Sequence, residues 1–239
     1  LIDCGEGTLF RMNQFGIKKN RIKAIFITHL HGDHYYGLIG LITTMSMHER
    51  SDKLLIISPK GLKEIIELQC SYSGTVIRYE IEYITFDDLA PTIVYQDDYV
   101  MVKTLPLIHK ITTCGFLFDK KYPEYNINKE KLYLLDNIPT SAIKTIKLGQ
   151  DYIASNGQKI ESKDVLIKNN KSKKFAYCSD TMYNEALIPL IQDIDLLYHE
   201  ATFLSQEIER AEFTKHSTAI QTATLALKSN VKQLMIGHY

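Results

Sequence analysis

Cysteine is scarce in this sequence, and its few copies are not spaced to form a metal or redox motif. The four cysteines, Cys4, Cys70, Cys114 and Cys178, lie far apart and form no CxxC pair. Most of them lie in apolar, strand-like surroundings. We therefore interpret them as reduced core residues, which is typical of a cytoplasmic protein rather than a disulfide-linked secreted one.

Long apolar runs and an excess of charge are also missing. No apolar run reaches the roughly 18 residues of a membrane span, and no signal-peptide pattern opens the chain, so we expect no membrane partner. The 28 basic and 28 acidic residues give a formal net charge of zero. Because the global field will not attract a polyanion, a nucleic-acid partner would need a local basic patch.

The chain has enough apolar residues for a substantial core. Its 239 residues, 45% of them hydrophobic, suffice for one large α/β domain or two small ones. It begins at Leu1 without a methionine and stops at Tyr239 just after an apolar run. We therefore expect both termini to be incomplete, within a single catalytic domain over 1–239.

Apolar runs alternate with stretches of helical period, which favours a layered α/β fold with its sites at strand carboxyl ends. The predicted strands cover 1–4, 24–28, 54–58, 80–86, 99–106, 113–118, 174–179, 194–198 and 232–236. The predicted helices cover 7–16, 35–48, 60–72, 184–192, 202–213 and 216–229.

The most informative pattern is a cluster of metal-ligand side chains behind the apolar run 24–27. His29, His31, Asp33 and His34 form an H-x-H-x-D-H tetrad. Imidazole nitrogen suits zinc, and a carboxylate can hold a metal or orient a bound water. A solvated polar loop is the alternative, but four such side chains at this spacing favour a metal site.

The tetrad resembles the signature of the metallo-β-lactamase superfamily. The resemblance implies a four-layer αββα sandwich, in which two β-sheets lie face to face with helices outside. It also implies two zinc ions per chain, with His29 and His31 on the first, and Asp33 and His34 on the second. The superfamily uses such sites for hydrolysis.

Three further ligands are implied by the resemblance, each at the end of a later predicted strand. His109 would complete the first zinc, Asp180 in Ser179-Asp180-Thr181 would bridge the two ions, and His238 in Gly237-His238 would complete the second. Alone, His109 would more often be structural, and Asp180 could cap the next turn.

Two later motifs reduce the number of candidate substrate classes. His199-Glu200-Ala201-Thr202 and His216-Ser217-Thr218 resemble the HEAT and HST motifs of the ribonuclease Z family, whose members remove the 3′ trailer from precursor tRNA. Similarity to sequences of that family also extends to residues 3–8, the tetrad and residues 59–62. The resemblance implies His216 as a general acid held by Glu200. The alternatives are a first-turn carboxylate for Glu200 and a helix N-cap for His216.

The segment 119–171 differs from the rest, because its hydrophobic period weakens and its lysines outnumber its carboxylates. It is either a solvated surface segment without a binding role or an inserted, protruding arm that binds a polyanion. The ribonuclease Z family has its tRNA-binding arm in this interval, which makes Lys120, Lys121, Lys144 and Lys147 candidate substrate contacts. The Gly-Pro pair usual in that arm is absent from 138–147.

Together these patterns predict a zinc-dependent endoribonuclease that cuts precursor tRNA, leaves a tRNA 3′-hydroxyl and, by the resemblance, forms a homodimer. The predicted catalytic residues are Asp33, Glu200 and His216. The alternative is a small-molecule phosphodiesterase or arylsulfatase-like hydrolase of the same superfamily, which needs the metal ligands but no lysine-rich arm. An inactive, metal-dependent RNA-binding module would need missing ligands, and the sequence has all seven.

Overall fold

The computed structural model describes residues 1–88, 90–121, 125–135, 138–154, 156–168 and 173–239. The chain forms two compact units. The larger unit comprises Leu1–Gln96, Met101–Phe118 and Lys174–Tyr239, and the smaller unit comprises Asp97–Val100 and Asp119–Lys173. No helix among the described residues is both long and apolar enough to cross a membrane.

The elements follow one another along the chain as strands and short helices. The strands are β1 (Ala24–Phe26), β2 (Leu54–Pro59), β3 (Ile81–Phe86), β4 (Ile93–Gln96), β5 (Val100–Pro106), β6 (Cys114–Lys120), β7 (Tyr125–Ile127), β8 (Tyr152–Ile153), β9 (Lys159–Ile160), β10 (Leu166–Lys168), β11 (Lys173–Cys178), β12 (Leu196–Glu200) and β13 (Leu234–Gly237). The α-helices are α1 (Thr8–Gln14), α2 (Gly32–Tyr35), α3 (Leu38–Met47), α4 (Leu62–Ser73), α5 (Thr140–Lys147), α6 (Ser162–Val165), α7 (Ile208–Thr214) and α8 (Ala219–Lys228). The 3₁₀ helices are Lys19–Arg21, Lys129–Leu135, Glu185–Leu190 and Ser205–Glu207.

Two sheets form the centre of the larger unit. The first has the order β1-β2-β3 with parallel neighbours, and the second has the order β13-β12-β11-β6-β5-β4. Side chains alternate between the faces of a strand. On the facing sides, the Phe26 ring meets the rings of Phe116 and Phe118 at centroid distances of 5.2 and 5.3 Å. The two sheets therefore pack face to face through aromatic side chains.

Helices cover the outer faces of both sheets. On the first sheet, Leu41 and Ile42 of α3 and Leu62 of α4 pack with Ile25 and Ile56. On the second sheet, buried residues of α8 and of the 3₁₀ helix Glu185–Leu190 pack with those of β11 and β12, namely Leu225, Ala226, Leu187, Ala176, Cys178 and Leu197. The larger unit thus has the four αββα layers that the sequence analysis predicted.

Several predicted element boundaries were wrong for local reasons. Predicted strand 1–4 is not a strand beyond a bridge between Ile2 and Phe26, because Asp3 has a left-handed φ of 50°. Predicted helix 35–48 is interrupted before α3, where a Cβ on Gly37 would lie 2.1 Å from the Gly5 carbonyl oxygen. Predicted helix 184–192 is a 3₁₀ helix that contains Pro189. The short strand β4 was not predicted.

The smaller unit has its own elements within the segment where the hydrophobic period weakens. Strand β7 pairs antiparallel with β10, and β8 pairs antiparallel with β9. Ile146, Ile160 and Val165 form a small buried cluster. This unit therefore has an apolar centre, although most of its residues are polar.

Candidate metal centre and catalytic pair

The predicted site residues lie at the carboxyl ends of strands in the two sheets. The tetrad follows β1, His109 follows β5, Asp180 follows β11, and His238 follows β13. Parallel strands place their carboxyl ends at one edge of a sheet, so residues distant in sequence meet there. The seven predicted ligands fall into two groups whose nitrogen and oxygen atoms lie within 4.8 Å of one another.

The first group contains His29, His31, His109 and Asp180. The His31 Nδ1 atom lies 3.0 Å from His29 Nε2 and 3.3 Å from His109 Nε2. Asp180 Oδ2 lies 3.6 Å from His29 Nε2 and 3.9 Å from His109 Nε2. Three imidazole nitrogens and one carboxylate oxygen therefore converge on one point.

The second group contains Asp33, His34 and His238, and Asp180 faces it too. Asp180 Oδ1 lies 3.4 Å from His34 Nε2 and 3.4 Å from His238 Nε2. Asp33 Oδ2 lies 3.4 Å and 3.7 Å from the same two nitrogens. Because its two oxygens face different groups, the Asp180 carboxylate is placed to be shared between them.

The chemistry of these atoms fits bound cations. The Nε2 atom of His34 is buried and has no hydrogen-bond partner among the described residues, although it faces two carboxylates. His29 and His109 use their Nδ1 atoms elsewhere, so lone pairs on Nε2 converge. Burial, and then the charges of His34 and His31, lower the pKa of His29 to about 2. Its imidazole is therefore neutral, which is the form that binds a metal.

Neighbouring polar groups fix the orientation of the imidazoles. His34 Nδ1 donates to Asp3 Oδ2 at 2.8 Å, and His109 Nδ1 donates to the Lys215 carbonyl oxygen at 3.0 Å. His29 Nδ1 donates to Thr28 Oγ1 at 3.0 Å, and that hydroxyl donates to Asp3 Oδ2 at 3.0 Å. Such contacts select the tautomer and raise the basicity of a ligating imidazole.

Asp3 is a candidate site residue that sequence reasoning missed. Its side chain accepts hydrogen bonds from His34 and from both the backbone and the hydroxyl of Thr28. The sequence analysis included Asp3 in an opening motif but gave it no role. The available signal was a carboxylate at the start of that motif, next to a glycine-rich turn.

Glu200 and His216 form a hydrogen-bonded pair beside the metal ligands, with Glu200 buried and His216 partly exposed. His216 Nδ1 donates to Glu200 Oε1 at 2.8 Å, and its Nε2 lies 4.0 Å from Asp180 Oδ2. The Thr181 backbone and the Thr202 hydroxyl each donate to Glu200 at 2.6 Å. The outer nitrogen of His216 is therefore directed toward the shared carboxylate.

The environment of the pair favours its charged forms. Burial alone would raise the pKa of Glu200, but the hydrogen bonds from His216, Thr202 and Thr181 outweigh it and lower that pKa. Burial would lower the pKa of His216, whereas the hydrogen bond and the negative charge of Glu200 raise it above its ordinary value. His216 is thus suited to carry a proton.

The structural alternatives for these two residues do not match their positions. Glu200 ends strand β12 and is fully buried, so it is not a first-turn helix carboxylate. The N-cap of α8 is Thr218, which forms a capping box with Gln221, so His216 is not the cap. The neighbouring His199 donates from Nδ1 to the Glu200 carbonyl oxygen at 2.8 Å and lies outside the metal-ligand groups of the described residues.

The candidate lysines lie in the smaller unit. Lys120 ends β6 and Lys121 follows it, with the Lys121 amino group donating to the Asp97 carbonyl oxygen at 2.7 Å. Lys144 and Lys147 lie in the last turn of α5. Their contact with a substrate stays a prediction.

Known proteins resemble this chain in sequence and in fold. A family model described as Anti-Pycsar protein Apyc1 matches residues 1–122. Ribonuclease Z of Bacteroides thetaiotaomicron is 40% identical over 239 residues, covering 100% of this chain and 75% of that protein. Human tRNase Z, short form, superposes with a TM-score of 0.69 at 25% identity, over 99% of this chain and 80% of that one.

The fold prediction is confirmed by these likenesses. The metallo-beta-lactamase fold protein YhfI of Bacillus subtilis superposes with a TM-score of 0.62 at 15% identity, over 99% of this chain and 72% of that one. The four layers found in the larger unit are the layers expected from the tetrad.

Proposed function

This chain belongs to the ribonuclease Z family, and from that premise we propose that it is a tRNA 3′-processing endoribonuclease with two zinc ions. It cuts precursor tRNA after the last retained nucleotide, and leaves a tRNA 3′-hydroxyl and a trailer with a 5′-phosphate. The observation that carries the proposal is the Glu200–His216 pair, whose outer nitrogen lies 4.0 Å from the shared Asp180 carboxylate.

The metal ligands follow from the two groups of converging atoms. His29, His31 and His109 would hold one ion, and Asp33, His34 and His238 the other, with Asp180 shared. Zinc accepts this combination of imidazole and carboxylate ligands. When bound, the ions supply positive charge for the phosphate oxygens and a nucleophilic water near neutral pH.

His216 supplies the proton that the leaving group needs. Breaking the P–O bond releases the ribose 3′-oxygen, which is a poor leaving group as an oxyanion. His216 Nδ1 is tied to Glu200, so the transferable proton lies on Nε2, which faces the ligands. Glu200 stabilises the protonated imidazole and holds its orientation.

Asp33 differs from the other carboxylates because its side chain is 66% exposed. Its Oδ2 atom faces His34 and His238, and the rest of the carboxylate is open to solvent. We assign it a double role, as a ligand and as an acceptor that orients the attacking water.

The likeness to ribonuclease Z extends further along the chain than the likeness to the Apyc1 model. The Apyc1 model matches residues 1–122, which include the tetrad and His109 but not Glu200 or His216. The ribonuclease Z relative aligns over all 239 residues, a span that includes the positions of Glu200 and His216 and the lysine-rich segment. The pair argues against an activated ester, whose leaving group needs no proton. The whole-chain likeness to ribonuclease Z favours precursor tRNA over a small phosphodiester with a ribose leaving group.

Three further parts of the proposal concern partners and location. The segment 119–171 acts as the inserted arm, with Lys120, Lys121, Lys144 and Lys147 contacting the tRNA backbone. The protein works as a homodimer in the cytoplasm. The resemblance supports the arm and the homodimer, and the lysine excess also supports the arm. The scattered spacing of the four cysteines supports the cytoplasmic location.

The test is a comparison of substrates with the metal-loaded protein. We expect cleavage of a precursor tRNA at the junction with its trailer, with a kcat/KM well above those for bis-p-nitrophenyl phosphate and for cyclic AMP. End mapping should show the 3′-hydroxyl and 5′-phosphate products. A higher kcat/KM for either small ester, with no cut in the precursor, would establish the alternative instead.

A further inference from the structure

An exposed aromatic side chain lies in helix α7, near the catalytic pair. Phe213 is 79% exposed, although burying a phenyl ring is normally favourable. The amino group of Lys110 lies 5.3 Å from the centroid of this ring. A cation over one face restrains the ring and leaves the other face open to solvent. The ring is thus presented as a flat, partly restrained apolar surface.

Lys110 and Phe213 both lie close in sequence to residues of the candidate site. Lys110 directly follows the ligand His109, whose ring lies 5.0 Å from that of His216. Phe213 lies three residues before His216, whose backbone N–H donates to the Ala211 carbonyl oxygen at 2.8 Å. The positive charge of Lys110 also acts to lower the pKa of His216, although Glu200 outweighs it. Lys110 and Phe213 are therefore tied by short stretches of chain to a metal ligand and to the proton donor.

A second ring and cation lie close to the same histidine. The Arg210 guanidinium lies 5.4 Å from the centroid of Phe203, and that ring lies 6.1 Å from the ring of His216. The Phe203 ring is only half-buried. Aromatic rings paired with basic side chains are the elements with which proteins bind single-stranded nucleic acid.

We propose that Phe213, restrained by Lys110, is the surface on which the base of the last retained nucleotide stacks. This inference rests on the proposed function, in which His216 protonates the 3′-oxygen of that nucleotide. Groups beside His216 therefore face the nucleotide that carries the leaving oxygen, rather than the first nucleotide of the trailer. The Lys110 charge attracts the adjacent phosphate. Because every base has a π-face, the contact works for any base.

The experiment measures kcat/KM for precursor tRNA relative to that for bis-p-nitrophenyl phosphate, which has no base. Phe213→Ala should lower this ratio by roughly 5- to 150-fold, the range for loss of one stacked base. Phe213→Trp should restore it. Tyr72→Ala, which removes an 87% exposed ring at the end of α4, is the matched control and should leave the ratio unchanged.

A second substrate identifies the base. On a precursor with an abasic site at the last retained nucleotide, the wild type and Phe213→Ala should have nearly equal ratios. An unchanged ratio for Phe213→Ala on normal RNA, or an equal loss on the abasic RNA, would overturn the stacking assignment. A wild type that cuts no precursor would instead overturn the proposed function, and this inference with it, before any variant is compared.

Discussion

The strand-end site of the larger unit and the lysines of the smaller unit are held in very different ways. Asp180 and Glu200 are almost fully buried, and each has several partners at defined distances. Lys159, by contrast, is a half-exposed side chain that pairs with Asp151 and Glu161 at the surface. Exposed ion pairs of this kind contribute little to stability, because water screens their charges.

Residues in the two units depend on their exact positions to different degrees. A side chain at the end of a buried strand is placed by the strand, so exchanging its chemical group changes the reaction. A surface lysine acts mainly through its charge, so neighbouring carboxylates reduce its effect and a similar lysine can replace it. Single substitutions should therefore have large effects in the larger unit and small effects in the smaller one.

The largest effect is expected at the shared carboxylate. Asp180→Ala removes oxygens that face both ligand groups and should lower kcat/KM on the order of 10⁴-fold for precursor tRNA and for bis-p-nitrophenyl phosphate alike. Elemental analysis should show fewer than two metal ions per chain. A variant that retains both ions and cuts RNA at the normal rate would contradict the shared role.

Much of this candidate site was predictable because its residues form short motifs or directly follow apolar runs in the sequence. His29, His31, Asp33 and His34 lie within six residues, from the loop after β1 into α2, and Asp180 and His238 each follow an apolar run. Asp3 was missed because its contact with His34 spans 31 residues and depends on a left-handed backbone. The elements of the smaller unit were missed because short strands with few apolar residues carry little periodicity.

The next largest effect is expected at the catalytic pair. Glu200→Ala should slow cleavage of precursor tRNA by about 10²–10⁴-fold, the usual scale of general acid–base catalysis. Because Glu200 acts through His216, the double alanine variant should be little slower than the slower single variant. Single-turnover rates measure this. Multiplicative losses would mean that the two residues act separately.

A smaller effect is expected where a contact only orients a ligand. Asp3→Ala leaves all seven ligands in place but removes the acceptor of His34 Nδ1, so metal affinity should fall by about 10–100-fold. Competition with a chelator measures this affinity. Glu6→Ala, an exposed neighbour, is the control. Equal affinity in Asp3→Ala and the wild type would exclude an orienting role.

The smallest effect is expected in the smaller unit, where it takes two substitutions to become measurable. Replacing Lys144 and Lys147 together by glutamine should weaken tRNA binding and reduce the slope of log K against log salt by about 1.4–1.8 for two lost phosphate contacts. The control replaces Lys18 and Lys23, two exposed lysines that precede β1, whereas the tetrad follows that strand. The same change of slope in both variants would refute a specific role for α5.

The most direct test concerns the proposed transfer of a proton from His216 to the leaving oxygen. A precursor tRNA with sulfur in place of the scissile 3′-oxygen has a leaving group that needs no protonation. His216→Ala should be about 10²–10⁴-fold slower than the wild type on the normal precursor, but nearly as fast as the wild type on the sulfur-containing one. An equally large loss on both substrates would contradict the assignment of His216 as the general acid.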